Sequence, residues 1–163
     1  MSTNLKNLSD FSHTEIPDAK KFRFGIAVAQ WNAEITSSLL NGAIKALKEN
    51  GAREENIEVV YVPGSFELSA ACYILAETGH FDAVIGLGCV IQGETPHFDF
   101  ICNAVANGMT NVALNTGVPA IFGVLTTLSQ EQAKERAGGK HGNKGEEAGV
   151  TAIIMASVRK KLS

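Results

Sequence analysis

Four times along this 163-residue chain, an apolar run of strand length is followed by a segment with helical periodicity. The runs are 22–29, 57–62, 82–91 and 120–125, and the helical segments are 33–50, 65–78, 96–115 and 130–137, with a further helix at 146–162. Parallel strands need long crossover connections, so this alternation confines the chain to a parallel sheet with helices on both faces and right-handed crossovers. The run 82–91 (DAVIGLGCVI) is nearly continuously apolar, which suits a central strand buried on both faces. The run 57–62 (IEVVYV) is β-branched and aromatic. Within 33–50, Ile35, Leu39, Leu40, Ala43, Ile44 and Leu47 fall on one helical face. Asn32 is predicted to cap that helix, and Gly51 stands where it ends.

A chain of this length makes one domain with a core large enough to need no staple. The hydrophobic fraction of 45% and charged fraction of 19% exclude a disordered chain. A net charge of −3 removes the general electrostatic case for a nucleic-acid or membrane binder. No apolar run approaches membrane-spanning length and no signal core opens the chain, so the expected location is the cytoplasm. Cys72, Cys89 and Cys102 form no CxxC pair and read as reduced thiols. Residues 1–20 are polar and are expected to be loose in the monomer. Phe11 and Ile16 would let this tail pair with a neighbouring subunit's sheet edge, and 21–163 is expected to be one α/β domain. Gly86, Gly88 and Gly93 do not form a dinucleotide fingerprint, because Ile91 stands where the third glycine is required. Neither a metal-spaced His/Cys set nor a P-loop is present, so neither a metal nor a nicotinamide cofactor is expected.

In such sheets, ligands bind beyond the carboxyl ends of the strands, which directs attention to the residues after each strand. After the first come Gln30-Trp31-Asn32, where Trp31 either stacks on a flat ring or covers the core. After the second comes Val62-Pro63-Gly64-Ser65-Phe66-Glu67. Ser65 is predicted to cap the next helix, which brings Phe66 and the Glu67 carboxylate to the crevice. After the third comes Gln92-Gly93-Glu94-Thr95-Pro96-His97-Phe98-Asp99. Thr95 reads as an N-cap and Pro96 as the first helical residue, which turns free amides outward in a geometry that binds phosphate. His97 in the first turn is either a proton shuttle or a surface residue. After the fourth, Phe122 within the strand reads as core. Lys134, Arg136, Lys140, His141 and Lys144 then stand among four glycines, forming either a solvated loop or an anion site with Arg136 as its fork.

Four of these motifs carry a resemblance: Gln30-Trp31-Asn32, Val62 to Glu67, Val90 to Phe98, and Glu135-Arg136-Ala137-Gly138 with Gly142-Asn143-Lys144-Gly145. In this order, over about 22–162, the chain resembles the lumazine synthases of riboflavin biosynthesis. Pattern and resemblance together give the expected fold, a three-layer α/β sandwich with a four-stranded parallel sheet in flavodoxin-like order 2-1-3-4.

The resemblance implies a transferase that condenses 5-amino-6-(D-ribitylamino)uracil with 3,4-dihydroxy-2-butanone 4-phosphate. The product is 6,7-dimethyl-8-ribityllumazine, released with phosphate and water, and no metal or redox cofactor takes part. It implies that Trp31 stacks on the pyrimidine, that Ser65, Phe66 and Glu67 hold ring and ribityl chain, and that Cys89, Val90 and Ile91 meet the pyrimidine edge. Glu94 and Thr95 amides with Arg136 would hold the phosphate, and His97 would move protons. Phe122, Arg136 and Lys144 would complete the site of a neighbouring subunit.

The chain departs from many relatives at Gln92, where arginine is common, at Glu94, where a small residue is common, and at Gly139, where threonine is usual. The first two are expected to weaken phosphate affinity. The resemblance also implies a homopentamer and riboflavin synthase as a partner. By the same resemblance the short 138–144 linker implies a shell of twelve pentamers, and a small-residue face with Ala104 and Gly108 on the third helix would favour close subunit packing. The alternative is a non-catalytic flavin- or lumazine-binding relative, in which Trp31 would hold an isoalloxazine ring.

Overall fold

The computed structural model describes residues 7–163. In chain order the elements are β1 (Phe24–Ala29), α1 (Ala33–Glu49), β2 (Ile57–Val62), α2 (Leu68–Glu77), β3 (Ala83–Ile91), α3 (His97–Thr116) and β4 (Ala120–Thr127). They continue as α4 (Gln130–Glu135), β5 (Ala137–Gly139), β6 (Gly142–Asn143) and α5 (Lys144–Leu162). Strands β1 to β4 pair in parallel in the order β2-β1-β3-β4, the predicted arrangement.

The pleat divides the core into two layers, because alternate residues of a strand face opposite sides. On one side Phe24, Ile26 and Val28 of β1 and Ile85, Leu87 and Cys89 of β3 meet Leu39 and Leu47 of α1 and Ala152 and Ile153 of α5. On the other, Ala27 and Ala29 of β1, with Val84 and Val124, meet Leu68, Cys72 and Leu75 of α2 and Val105, Met109 and Val112 of α3. Continuous burial along β1 and most of β3 explains their unbroken apolar sequence.

Several boundaries differ from expectation for local reasons. The predicted helix 65–78 opens as a 3-10 turn over Ser65–Glu67 before α2. Helix α5 begins at Lys144, ahead of the predicted 146, because Asn143 Oδ1 accepts from the Gly145 N–H at 2.7 Å and caps it. The basic loop after α4 contains the short antiparallel pair β5–β6. A ladder of two or three residues is too short for any periodicity to reveal.

The predicted tail lies partly in residues 1–6, outside the described residues. The remainder, 7–20, is irregular and fastened to its own domain. Leu8 N–H donates to His141 O at 2.8 Å, and Ser9 Oγ accepts from Asn143 N–H at 3.0 Å. Ala19 is fully buried and donates to Asn50 O at 2.8 Å. Gly108, expected on a face free for subunit packing, instead faces α2: a Cβ there would fall on the Ser69 hydroxyl.

Candidate active site

Parallel pairing brings the carboxyl ends of β1, β2 and β3 side by side. Strands β1 and β2 stay in register to Ala29↔Val62, whereas β1 and β3 part after Val28↔Leu87, so that Cys89, Val90 and Ile91 project beyond β1. A cleft of about 410 Å³ opens at this step. That is the size of a small-molecule site.

Each strand end contributes a wall. From the β1–α1 turn come Trp31 and Asn32, from the β2–α2 turn Gly64, Ser65 and Phe66, and from β3 Cys89, Val90 and Ile91. His97 and Ile101, one turn apart at the start of α3, complete it. Trp31 is 74% exposed and Phe66 58%, so two large rings stand open to a ligand. This decides for Trp31 against core covering. The β1 and β2 turns are tied together, since Gln30 N–H donates to Val62 O at 2.8 Å and Trp31 N–H to Pro63 O at 3.1 Å. Gly88 lets the β2 turn close onto the sheet. A Cβ at that position would stand 2.5 Å from Ser65 Oγ and 2.9 Å from Leu68 Cδ1.

Three predicted caps are corrected. Ser65 is buried and makes no cap bond, while the Glu67 carboxylate accepts from the Gly64 N–H at 3.0 Å and steadies the turn. Pro96, not Thr95, occupies the N-cap position of α3, and no side chain caps that helix. Its positive end is therefore left open beside His97. Asn32 stands at the start of α1 but does not cap it; its Nδ2 donates across the cleft floor to Cys89 O at 2.9 Å.

The remaining predicted site residues do not line this cleft within one chain. Glu94 and Thr95 are exposed beside it. Gln92 turns its amide back to Gly93 O at 2.7 Å. Phe122 lies on β4, partly buried against the α2/α3 layer. Arg136 donates from Nη1 to Gln132 O at 3.0 Å and lies 3.9 Å from Glu135 Oε2. Part of the predicted basic loop gathers on Glu135, which also meets Lys140 at 2.7 Å and His141 Nε2 at 3.7 Å, while Lys134 pairs with Glu34 at 3.0 Å. The Lys140 hydrogen bond, aided by the surrounding positive charge, holds the Glu135 carboxyl below its ordinary range. Lys144 pairs with Glu147 at 2.9 Å and lines a second hollow of about 260 Å³ beneath Leu8 and Phe11.

Burial pushes the Cys89 thiol up to about 11 and that of Cys72 to about 12. Cys89 is thus a protonated, apolar part of the floor. Among the described residues, no group of three or more His, Cys, Asp or Glu could hold a metal ion.

A family model described as 6,7-dimethyl-8-ribityllumazine synthase matches residues 21–160. The chain belongs to that family. Relatives bearing the same name include one from Cytophaga hutchinsonii, 57% identical over 155 residues, which cover 95% of this chain and 97% of the relative. Another, from Porphyromonas gingivalis, is 53% identical over 160 residues covering 98% of this chain and 99% of the relative. The match to these lumazine synthases is essentially full length, so the cleft and the Arg136 region both fall inside it.

In this lumazine synthase family member, sequence reasoning overlooked three cleft residues. Ile101 lies four residues beyond His97 on the same helical face, a spacing that could have found it. Gly64 has no side chain to mark it as part of a wall. Asn32 was read as a cap, and nothing local distinguishes a capping asparagine from one that reaches another strand.

Proposed function

We propose that this chain condenses 5-amino-6-(D-ribitylamino)uracil with 3,4-dihydroxy-2-butanone 4-phosphate to 6,7-dimethyl-8-ribityllumazine, releasing phosphate and water. It would thereby act as a transferase of riboflavin biosynthesis in the cytoplasm. The observation that carries this reading is the cleft of about 410 Å³ flanked by the open rings of Trp31 and Phe66, with His97 beside an uncapped helix start.

On this reading the pyrimidine stacks on Trp31 and its edge meets Cys89, Val90 and Ile91. Ser65, Phe66 and Glu67 hold the ring and the ribityl chain. The phosphate lies by the Glu94 and Thr95 amides at the start of α3, where the helix dipole favours an anion. The ring amine attacks the ketone to form an imine, His97 moves protons, phosphate leaves, and the second amine closes the ring. Positioning carries most of the rate, since well-oriented partners can gain roughly 7–11 kcal/mol. Proton transfer adds about 10²–10⁴-fold.

Arg136, Lys144 and Phe122 act across a subunit boundary, completing a neighbour's cleft, with Arg136 gripping the phosphate as a bidentate fork. Their absence from the cleft of their own chain supports this assignment. The working unit is then a homopentamer, twelve pentamers would make a shell, and riboflavin synthase would be a partner. Two large apolar side chains on the outer side of α3, Phe100 and Leu114, 71% and 76% exposed at its two ends, support association along that helix.

The test is a stopped-flow assay that mixes both substrates with and without the protein and follows lumazine absorbance. A rate well above the protein-free background is expected. A rate equal to background, with bound flavin colouring the purified protein, would move the non-catalytic flavin-binding reading to the front.

A further inference from the structure

The turn that carries Trp31 contains an unusual residue. Among the described residues, Asn32 alone of the non-glycine residues has a positive φ, at φ 60 and ψ 45. Left-handed backbone is unfavourable for most side chains, and asparagine tolerates it best after glycine. Asparagines in this position usually cap a helix or bond within their own turn. Asn32 does neither, since its side chain makes no cap bond to α1 and its Nδ2 instead donates to Cys89 O at 2.9 Å.

The sheet explains that direction. The last β1–β3 pair is Val28↔Leu87, and β1 ends at Ala29 while β3 continues to Ile91. Cys89 is buried, and its carbonyl lies where β1 no longer supplies a backbone N–H. A buried carbonyl without a partner is unfavourable, and the Asn32 amide takes the place of the missing strand residue.

Trp31 is thereby held from two sides. Its own N–H donates to Pro63 O at 3.1 Å, on the β2 side. Its neighbour Asn32 is anchored to β3 on the other. The ring projects into solvent from backbone fixed across the whole width of the cleft floor.

We propose that Asn32 is a positioning residue. By bridging from a left-handed turn to the Cys89 carbonyl, it fixes the backbone that holds the exposed Trp31 ring over the cleft. This rests on the stacking role proposed above for Trp31, but the mount itself is a property of the ligand-free chain.

Trp31 is the sole tryptophan of the chain, so its fluorescence reports on this mount directly. Exposed side chains ordinarily change rotamer in picoseconds to nanoseconds, which time-resolved anisotropy resolves. The wild-type protein is expected to show little fast depolarisation despite the exposure of the ring. A wild-type Trp31 that wobbles freely would overturn the proposal without any variant.

Asn32→Gly keeps the left-handed turn and removes the bridge. Asn32→Asp keeps the turn and the shape but has no N–H to donate. Both are expected to gain a large fast anisotropy component. Both should raise the half-saturating concentration of the pyrimidine about tenfold, the size of one lost hydrogen bond, and leave that of the phosphate substrate unchanged. Should the glycine variant fail to fold, the aspartate variant decides. Wild-type anisotropy and saturation in Asn32→Asp would overturn the proposal. If the wild-type protein shows no turnover, the functional reading falls, while the anisotropy comparison still decides the role of Asn32.

Discussion

At the scale of single residues, the cleft is defined by which polar groups are engaged and which are left open. Glu67 and Asn32 are engaged in holding turns, while His97 stands exposed at the rim. We therefore predict that His97→Ala slows turnover by about 10²–10⁴-fold while both substrates still bind, the range of a lost proton shuttle. Complete loss would mean that acid–base chemistry outweighs positioning. Arg136→Ala is expected to raise chiefly the half-saturating concentration of the phosphate substrate, and unchanged saturation would remove Arg136 from that site. Cys89 offers a pH test. Burial raises its thiol to about 11, so the reactive thiolate is scarce near neutrality and grows as pH rises toward that value. Iodoacetamide should label Cys89 slowly at pH 7 and progressively faster up to about pH 11, as peptide mapping would show; rapid labelling at neutral pH would contradict this environment.

At the scale of elements, close approach of α1 and α5 decides where the hairpin and Arg136 sit. Gly145 and Gly149 lie directly against α1: a Cβ at Gly149 would stand 2.9 Å from Ala43 O, and one at Gly145 would overlap the Leu39 carbonyl. Neither backbone can give way as a flexible side chain would. Gly145→Ala is predicted to destabilise the fold by about 1–3 kcal/mol, measured by denaturant unfolding, because overpacking forces the helices apart. A neutral effect would show that α5 slides freely on α1. The cluster of glycines between 138 and 145 was legible, but their packing partners were not, since Leu39 lies some hundred residues earlier in the chain. The same distance hid the Asn143 side chain, which donates to Ser38 O at 3.0 Å as well as capping α5.

At the scale of the whole molecule, no helix among the described residues is long and apolar enough to cross a membrane. The exposed apolar side chains have a different meaning: Trp31 and Phe66 open onto the cleft, while Phe100 and Leu114 crown the outer side of α3. Light scattering is expected to find an assembly of pentamer size or a shell of twelve pentamers. A monomer would sink both versions, and a free pentamer would sink the shell. By itself the sequence determined the alternating elements, the parallel sheet, and the strand ends where a ligand would bind, because periodicity and turn chemistry are local properties; the strand order came with the family resemblance. It also marked Trp31, Phe66 and His97 as residues of those ends. Only the tertiary structure decided that Trp31 stands open, that Asn32 reaches Cys89 instead of capping α1, and that Arg136 and Lys144 lie away from the cleft of their own chain. Those outcomes depend on register and on contacts between residues far apart in sequence, where β1 stops short of β3, and no local pattern encodes where one strand outruns another.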